Sequence, residues 1–314
     1  MKVHRSLQAA LAATLLGAAL FASPALAQDK TYKFDIIVHD GSTSFYAPVQ
    51  TGMEVACAEL KADCKFMGPP NGSDPVAQVD LAQNAINSGV DGIILDVPDQ
   101  KAKDKITAYA KDKNVDVFFI GTSYPDDPDH ASIGQNFYNA GVAVGKQIEK
   151  YLPNGGKVGI MLCCAGNIPL GQRASGEIDT LKANPKFTVV GPVLMGQDET
   201  QAFGAIEAMN QANPDMVGIF GTDASTEVIA RFIQRNKLTG KVIGGGFDLV
   251  PATVNAIKTG DVKFTTTQNP FLWGYLSVHQ LYLKRQYGLN PISIDSGAGV
   301  VDSTNVEKVN PKYD

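Results

Sequence analysis

The sequence predicts an α/β protein of two similar lobes, each a doubly wound parallel sheet. Three observations predict it. Six short apolar strands between Lys33 and Asp248 run straight into knots of Gly, Asp, Asn, Ser, Thr or Arg, and a helical period follows each. Such a serial β-α pattern makes parallel strands. The alternation breaks at Pro153-Asn154-Gly155-Gly156 and then restarts. The third is size: 314 residues, 44% hydrophobic and 19% charged, suffice for two cores and show no bias toward disorder.

Residues 33–39 form the first strand, and the helix after it puts Val49, Met53, Ala56 and Leu60 on one face. A short strand over 64–67 follows, and Pro69-Pro70-Asn71-Gly72 turns the chain. Ser73 or Asp74 caps the next helix, with Pro75 in its first turn, Val79, Ala82 and Ile86 as its buried stripe and Gly89 as its end. A strand over 92–95, a helix over 102–113 and a strand over 115–120 complete the first half. Residues 131–134 return as a strand, and Asn139 starts a helix carrying Val144, Ile148 and Leu152. Past the break come strands over 157–162, 187–193, 216–220 and 241–247, with helices near 170–183, 199–211 and 225–236 between them. A late strand over 264–267 and a long helix over 273–287 follow. The strand-rich tail past Pro291 has no core of its own and must lie across one lobe or both.

The first 27 residues differ from the rest. Lys2, His4 and Arg5 make a basic start, residues 7–22 are almost wholly apolar, and Ala25-Leu26-Ala27 supplies small residues for cleavage. This reads as a secretory signal peptide, with Gln28 as the new N-terminus; an uncleaved anchor would need a longer run. No later segment is long and apolar enough to cross a bilayer. Loss of Lys2 and Arg5 leaves 25 Lys+Arg against 32 Asp+Glu, a net charge of −7. An acidic chain without a basic patch argues against nucleic acid and anionic lipid surfaces. In an oxidising compartment Cys57 and Cys64 are expected to bridge the first helix to the second strand. Cys163 and Cys164 are read as ending a strand, where side chains alternate faces, so two buried thiols are expected rather than a vicinal bridge.

In parallel sheets every strand's carboxyl end faces one edge, and ligands bind in the crevice there. The polar knots therefore mark a binding edge. Catalytic templates fit it poorly. Gly166 to Arg173 has phosphate-loop glycine spacing, but Gln172 stands where the lysine is required and Arg173 where Ser/Thr should hold magnesium. There is no Gly-x-Ser-x-Gly elbow, and His39, His130 and His279 have no metal-ligand spacing. No catalytic residue, metal or cofactor is expected. His39 ends the first strand and reads as a hydrogen-bonded rim residue, with contact to a ligand as the alternative. Phe45 and Tyr46 supply aromatic faces suited to the C–H face of a sugar ring, the alternative being a cap on the core. Asp248, Asp223, Asn136, Asn167, Arg173 and Gln268 can supply partners for its hydroxyls. Asp223 could equally cap a helix, with Thr222 taking its place. For Asp248, the bare backbone of Gly244-Gly245-Gly246 before it suggests close approach of a ligand. Trp273 is expected to pack beneath its helix, and Arg173 has a surface salt bridge as its competing reading.

These residues resemble a family: the periplasmic sugar-binding proteins of ATP-driven importers, of the ribose/galactose-binding type (type I). The resemblance runs from about Tyr32 to the tail and rests on Thr43-Ser44-Phe45-Tyr46, Gly134-Gln135-Asn136, Gly245-Gly246-Phe247-Asp248 and Thr266-Thr267-Gln268-Asn269-Pro270. It implies a multi-strand hinge between lobes of residues 28–136 plus about 269–295 and residues 137–268 plus about 296–314. It also implies ligand contacts from Thr43, Phe45, Tyr46, Thr122, Asn136, Asn167, Arg173, Thr222, Asp248 and Gln268. Gly121-Thr122-Ser123 replaces the family's Asp-Arg pair, Thr43 replaces an asparagine, and Asp198 replaces a second-lobe aromatic. Those departures leave pentose, hexose, deoxy sugar and polyol open. The implied function is capture of a sugar by a periplasmic monomer that closes on it and delivers it to a membrane permease, a chemoreceptor being a further partner. The competitors are a binder of a sugar-like quorum signal and a secreted carbohydrate-modifying enzyme.

Overall fold

A computed structural model describes residues 30–71, 73–122, 127, 129–196, 198–310 and 313. The expected leader over residues 1–27, Gly72 of the first turn and Ser123 lie outside the described residues. The first sheet is built from β1 (Lys33–Ile37), β2 (Asp63–Met67), β3 (Gly92–Leu95), β4 (Asp116–Ile120) and β5 (Ser132–Gly134), with α1 (Ala47–Leu60), α2 (Pro75–Asn87) and α3 (Gln100–Asp112) between the first four. After α4 (Phe137–Tyr151) the pattern repeats with β6 (Gly156–Leu162), α5 (Ile168–Lys182), β7 (Phe187–Leu194), α6 (Glu199–Ala212), β8 (Met216–Gly221), α7 (Thr226–Arg235), β9 (Ile243–Phe247), α8 (Pro251–Thr259) and β10 (Phe264–Thr267). The chain ends with α9 (Pro270–Tyr287), β11 (Ile294–Asp295) and β12 (Gly299–Asp302).

Strand order is β11-β5-β4-β3-β1-β2 in one sheet and β12-β10-β9-β8-β6-β7 in the other. Every described ladder is parallel except the pairing of β12 with β10. In both sheets the order reverses beside the first strand of the unit, at β1/β3 and at β6/β8. A doubly wound sheet opens its ligand crevice at that point. The tail serves both sheets, because β11 extends the first and β12 the second.

Each sheet is covered on both faces, which explains its near-continuous apolar strands. Phe34 and Ile36 of β1 join Val49 and Met53 of α1 and Leu281 of α9, while Ile37 faces Ala82 and Ile86 of α2 and Ile106 of α3. Burying one such side chain contributes about 1.5–3 kcal/mol. α9 returns from the second half to pack on α1, and it does so closely: a Cβ at Gly274 would meet the Val49 carbonyl oxygen. Asp74 caps α2 by accepting from Val76 and Ala77 N–H groups, with Pro75 at the first helical position, as the sequence indicates. Helix α8 was not anticipated, although Pro251 opens it and the left-handed Gly260 closes it. No helix among the described residues is long and apolar enough to cross a membrane.

Candidate functional site

Both switch points open into one cavity of about 510 Å³, within the roughly 300–1,000 Å³ usual for small-molecule sites. From the first sheet, the segments after β1, β3 and β4 bring His39, Phe45, Tyr46, Asp96 and Thr122 to its wall. From the second, the segments after β6, β8, β9 and β10 bring Asn167, Arg173, Asp223, Asp248 and Gln268.

The first-sheet wall is organised around Asp96, a carboxylate only 5% exposed. Tyr46 hydroxyl donates to its Oδ2 (2.5 Å), Thr122 hydroxyl to its Oδ1 (2.9 Å), and His39 Nδ1 lies 3.3 Å from Oδ2 and 2.8 Å from the Tyr46 oxygen. Gln78 fixes the turn by donating to the Asp96 carbonyl (2.7 Å). Burial alone would raise the Asp96 carboxyl, but the His39 charge and the three side-chain hydrogen bonds outweigh it and hold it low. Burial opposes the His39 imidazolium, yet Asp96 overcomes this and raises its pKa. Burial and the Asp96 charge drive the Tyr46 phenol well up, so it stays a neutral donor. Phe45 lies within a short helical turn (Ser44–Tyr46) that Thr43 caps by accepting from the Phe45 N–H (3.3 Å). Its ring meets Tyr46 and Trp273 edge to face, with centroids 5.0 and 5.8 Å away. Trp273 is buried beneath α9 as expected, donates to the Ser296 hydroxyl (3.1 Å), and also reaches the cavity wall.

The second-sheet wall centres on Arg173, which is 1% exposed. Its guanidinium lies between the rings of Phe247 (4.1 Å) and Phe137 (5.3 Å). Nε and Nη2 donate to Gln135 Oε1 (3.1 and 2.9 Å), and Nη1 donates to the Thr222 carbonyl (2.9 Å). Those bonds use three of the five N–H groups a guanidinium carries, leaving two for the cavity. The competing surface-salt-bridge reading of Arg173 is thereby overturned. Asp248 follows β9 in the left-handed region at φ 71°, a conformation Asp tolerates better than most residues. Its Oδ1 accepts from Gln268 Nε2 (2.6 Å). Burial pushes its carboxyl up to about 6, although Arg173 and Gln268 pull the other way. Asn167 caps α5 with its amide oxygen, accepting from Leu170 N–H (3.2 Å), which leaves its NH2 for a ligand. Asp223 lines the cavity and accepts from the Ser225 N–H and hydroxyl; it does not cap α7, whose N-cap is Ser225 without a side-chain capping bond, so the helix-cap reading of Asp223 is corrected.

Four expectations need correction. Asn136 is spent on capping α4, accepting from Asn139 N–H (3.0 Å), and does not line the cavity. Thr222 turns its hydroxyl back to the Met161 carbonyl (3.3 Å); only its own carbonyl serves the site, through Arg173. The bare backbone before Asp248 admits protein rather than ligand, since a Cβ at Gly246 would strike the Gly221 carbonyl and the Thr226 hydroxyl. Cys57 and Cys64 are bonded as expected, but so are Cys163 and Cys164. β6 ends at Leu162, so both cysteines lie in the turn beyond the strand, where side chains need not alternate between faces. Sequence reasoning also missed Asp96, Gln135 and Phe137. Asp96 carried a signal: it is the first polar residue after an apolar strand, beside the switch point.

A family model described as periplasmic binding protein domain matches residues 34–287. The chain belongs to the periplasmic binding protein family. Among relatives of this family, a xylose/arabinose-binding protein of Sulfolobus acidocaldarius is 29% identical over 295 residues, covering 88% of this chain and 72% of its own length. A solute-binding protein from Agrobacterium vitis, solved with bound D-fucose, is 28% identical and superposes with a TM-score of 0.80 over 89% of this chain and 98% of its own. A solute-binding protein from Burkholderia graminis in complex with D-arabinose has the same fold, with a TM-score of 0.82 at 24% identity, over 90% of this chain and 99% of its own. Open parallel sheets bind ligands at the carboxyl ends of their strands, where the cavity described above lies.

Proposed function

We propose that this periplasmic binding protein captures a monosaccharide and hands it, unaltered, to the permease of an ATP-driven importer. The observation that carries the reading is the pairing of walls in one cavity: aromatic Phe45 and Tyr46 on one side, and the buried Arg173, Asp248 and Gln268 on the other. An aromatic ring suits a sugar's C–H face, and charged forks suit paired hydroxyls. The sugars named for its relatives support the same class. Thr43, Thr122 and Asn167 complete the ligand set, with His39 and Asp96 added from the structure.

In this reading residues 1–27 direct export and are removed, and the mature monomer works in the periplasm. Residues 28–136 with about 269–295, and residues 137–268 with about 296–314, move as two bodies. A ligand that touches both walls favours the closed arrangement, and the permease recognises that arrangement. Isothermal titration of the purified protein with a sugar panel tests the proposal. One-to-one saturable binding, with the sugar recovered unchanged, is expected. Turnover of the sugar, or no binding across the panel, overturns it.

A further inference from the structure

The bonded pair Cys163 and Cys164 lines the same cavity. These residues follow β6 and so belong to the second-sheet wall, whereas Phe45 belongs to the first-sheet wall. The turn that holds them is fixed at both ends: the Cys163 carbonyl accepts from Gly196 N–H (2.9 Å), and the Cys164 carbonyl accepts from Asn167 N–H (3.4 Å). Cys163 is also packed on the apolar cluster that contains Met161 and Met195. Pro169 and Leu170 continue the apolar surface beside them along the cavity wall. The residue that stands in place of a second-lobe aromatic, Asp198, is exposed and caps α6 by accepting from Gln201 N–H (3.0 Å). It is not part of the wall.

Adjacent cysteines joined through sulfur close a small ring over one peptide bond. Its two sulfurs and two methylenes form a compact apolar plate with no side-chain hydrogen-bond donor, apart from the peptide group that completes the ring; the sulfurs are polarisable, and the two side chains cannot rotate independently. We propose that the Cys163–Cys164 ring is the second apolar face of the sugar site, so that a ring sugar is held between it and Phe45. This rests on the sugar-binding reading and narrows it. A two-sided sandwich suits a cyclic sugar with flat C–H faces and disfavours an open-chain polyol, which has hydroxyls on every side and loses more torsional freedom on binding. Affinity then depends on the oxidation state of the pair. Reduction replaces one rigid plate with two freely turning thiols that carry weak donors.

The test uses the mature protein in its oxidised form, the Cys163→Ser/Cys164→Ser double variant, and titration with D-xylose and D-arabinose against xylitol and D-arabitol. Reduction is by a trialkylphosphine. Phosphorus attacks one sulfur, the S–S bond breaks and the other sulfur leaves as thiolate and takes a proton. Water then releases the second thiol and leaves phosphine oxide. Mass spectrometry after alkylation identifies which pair has opened, and far-UV circular dichroism confirms that the protein is still folded. Expected are tighter binding of a ring sugar than of its polyol, and about a tenfold weakening of that sugar on reduction, the scale of losing one stacking face. The double variant should show the same weakening and no further response to phosphine. Should the double variant misfold, reduced wild type alone decides. Unchanged affinity after the Cys163–Cys164 bond opens, or a polyol bound as tightly as its ring sugar, overturns the inference and leaves the sugar reading standing. No binding of any sugar to the oxidised wild type overturns both.

Discussion

Replacing Asp248 by Asn should stabilise the empty protein while weakening its grip on sugar. The carboxyl is buried at the end of β9, and its pKa is pushed from 3.8 to about 6. That gap corresponds to about 3 kcal/mol of folding free energy. The sign follows from which state holds the proton. Below 3.8 both folded and unfolded chains are protonated, and the carboxyl costs nothing. Between 3.8 and about 6 the unfolded chain releases its proton first, so stability falls as pH rises; above about 6 the whole cost is present. Asn is close to the neutral acid in shape, tolerates the left-handed backbone, and keeps an oxygen for Gln268. At neutral pH the variant should therefore be more stable by up to about 3 kcal/mol in urea melts, with the difference vanishing in acid. A sugar hydroxyl that donates to Asp248 favours the anion. Wild-type affinity should thus drop as pH falls through about 6, and the Asn variant should bind about 1.5–3 kcal/mol more weakly at neutral pH. An Asn variant no more stable than wild type at neutral pH refutes the argument that this carboxylate is held at a cost.

Phe45→Ala should weaken sugar binding by about 1–3 kcal/mol in calorimetry; an equal loss of apo stability would assign the ring to the core instead, where it touches Tyr46 and Trp273. Arg173→Lys should abolish the ligand-induced rise in Tm at modest sugar concentration, because an ammonium cannot serve Gln135, the Thr222 carbonyl and a sugar together. An NMR titration should find His39 above its ordinary 6.5, and Asp96→Asn should lower it, since Asp96 is the group that raises it. The stability this pair gives His39 is complete below 6.5 and is lost as pH rises through the folded-state value. Non-reducing mass spectrometry of exported protein should find Cys57 joined to Cys64, a short loop contributing roughly 2–3 kcal/mol at most.

The parts legible in the sequence were those governed by local rules. Apolar strands ending in polar knots gave the sheets and their common edge, and Asp74 with Pro75 marked the start of α2. Arg173 could be singled out because it lies one turn into the helix that Asn167 caps. What stayed hidden depended on strand order or on several crossings at once. Asp96 matters because β3 neighbours β1, which no local pattern states. Gln135 matters because separated segments converge on its amide. The glycines before Asp248 were read correctly as a place of close approach and assigned the wrong visitor, because the position of Thr226 comes from packing of α7 on β9. The state of the cysteine pair stayed hidden because Cys163 and Cys164 both lie beyond the end of β6, in a turn where strand alternation does not apply.

The chain passes from one sheet to the other after β5, after β10 and after β11, and Gln135 stands where these three passages meet. Its NH2 donates to the Thr267 carbonyl (3.4 Å) and the Gly297 carbonyl (2.9 Å), while its oxygen receives Arg173. One carboxamide thus couples the pivot to the pincer. In the proposed closure, rotation of one sheet against the other turns about passages that Gln135 holds, and the same amide orients the guanidinium, so the grip on cargo and the angle of the joint would form one mechanical linkage.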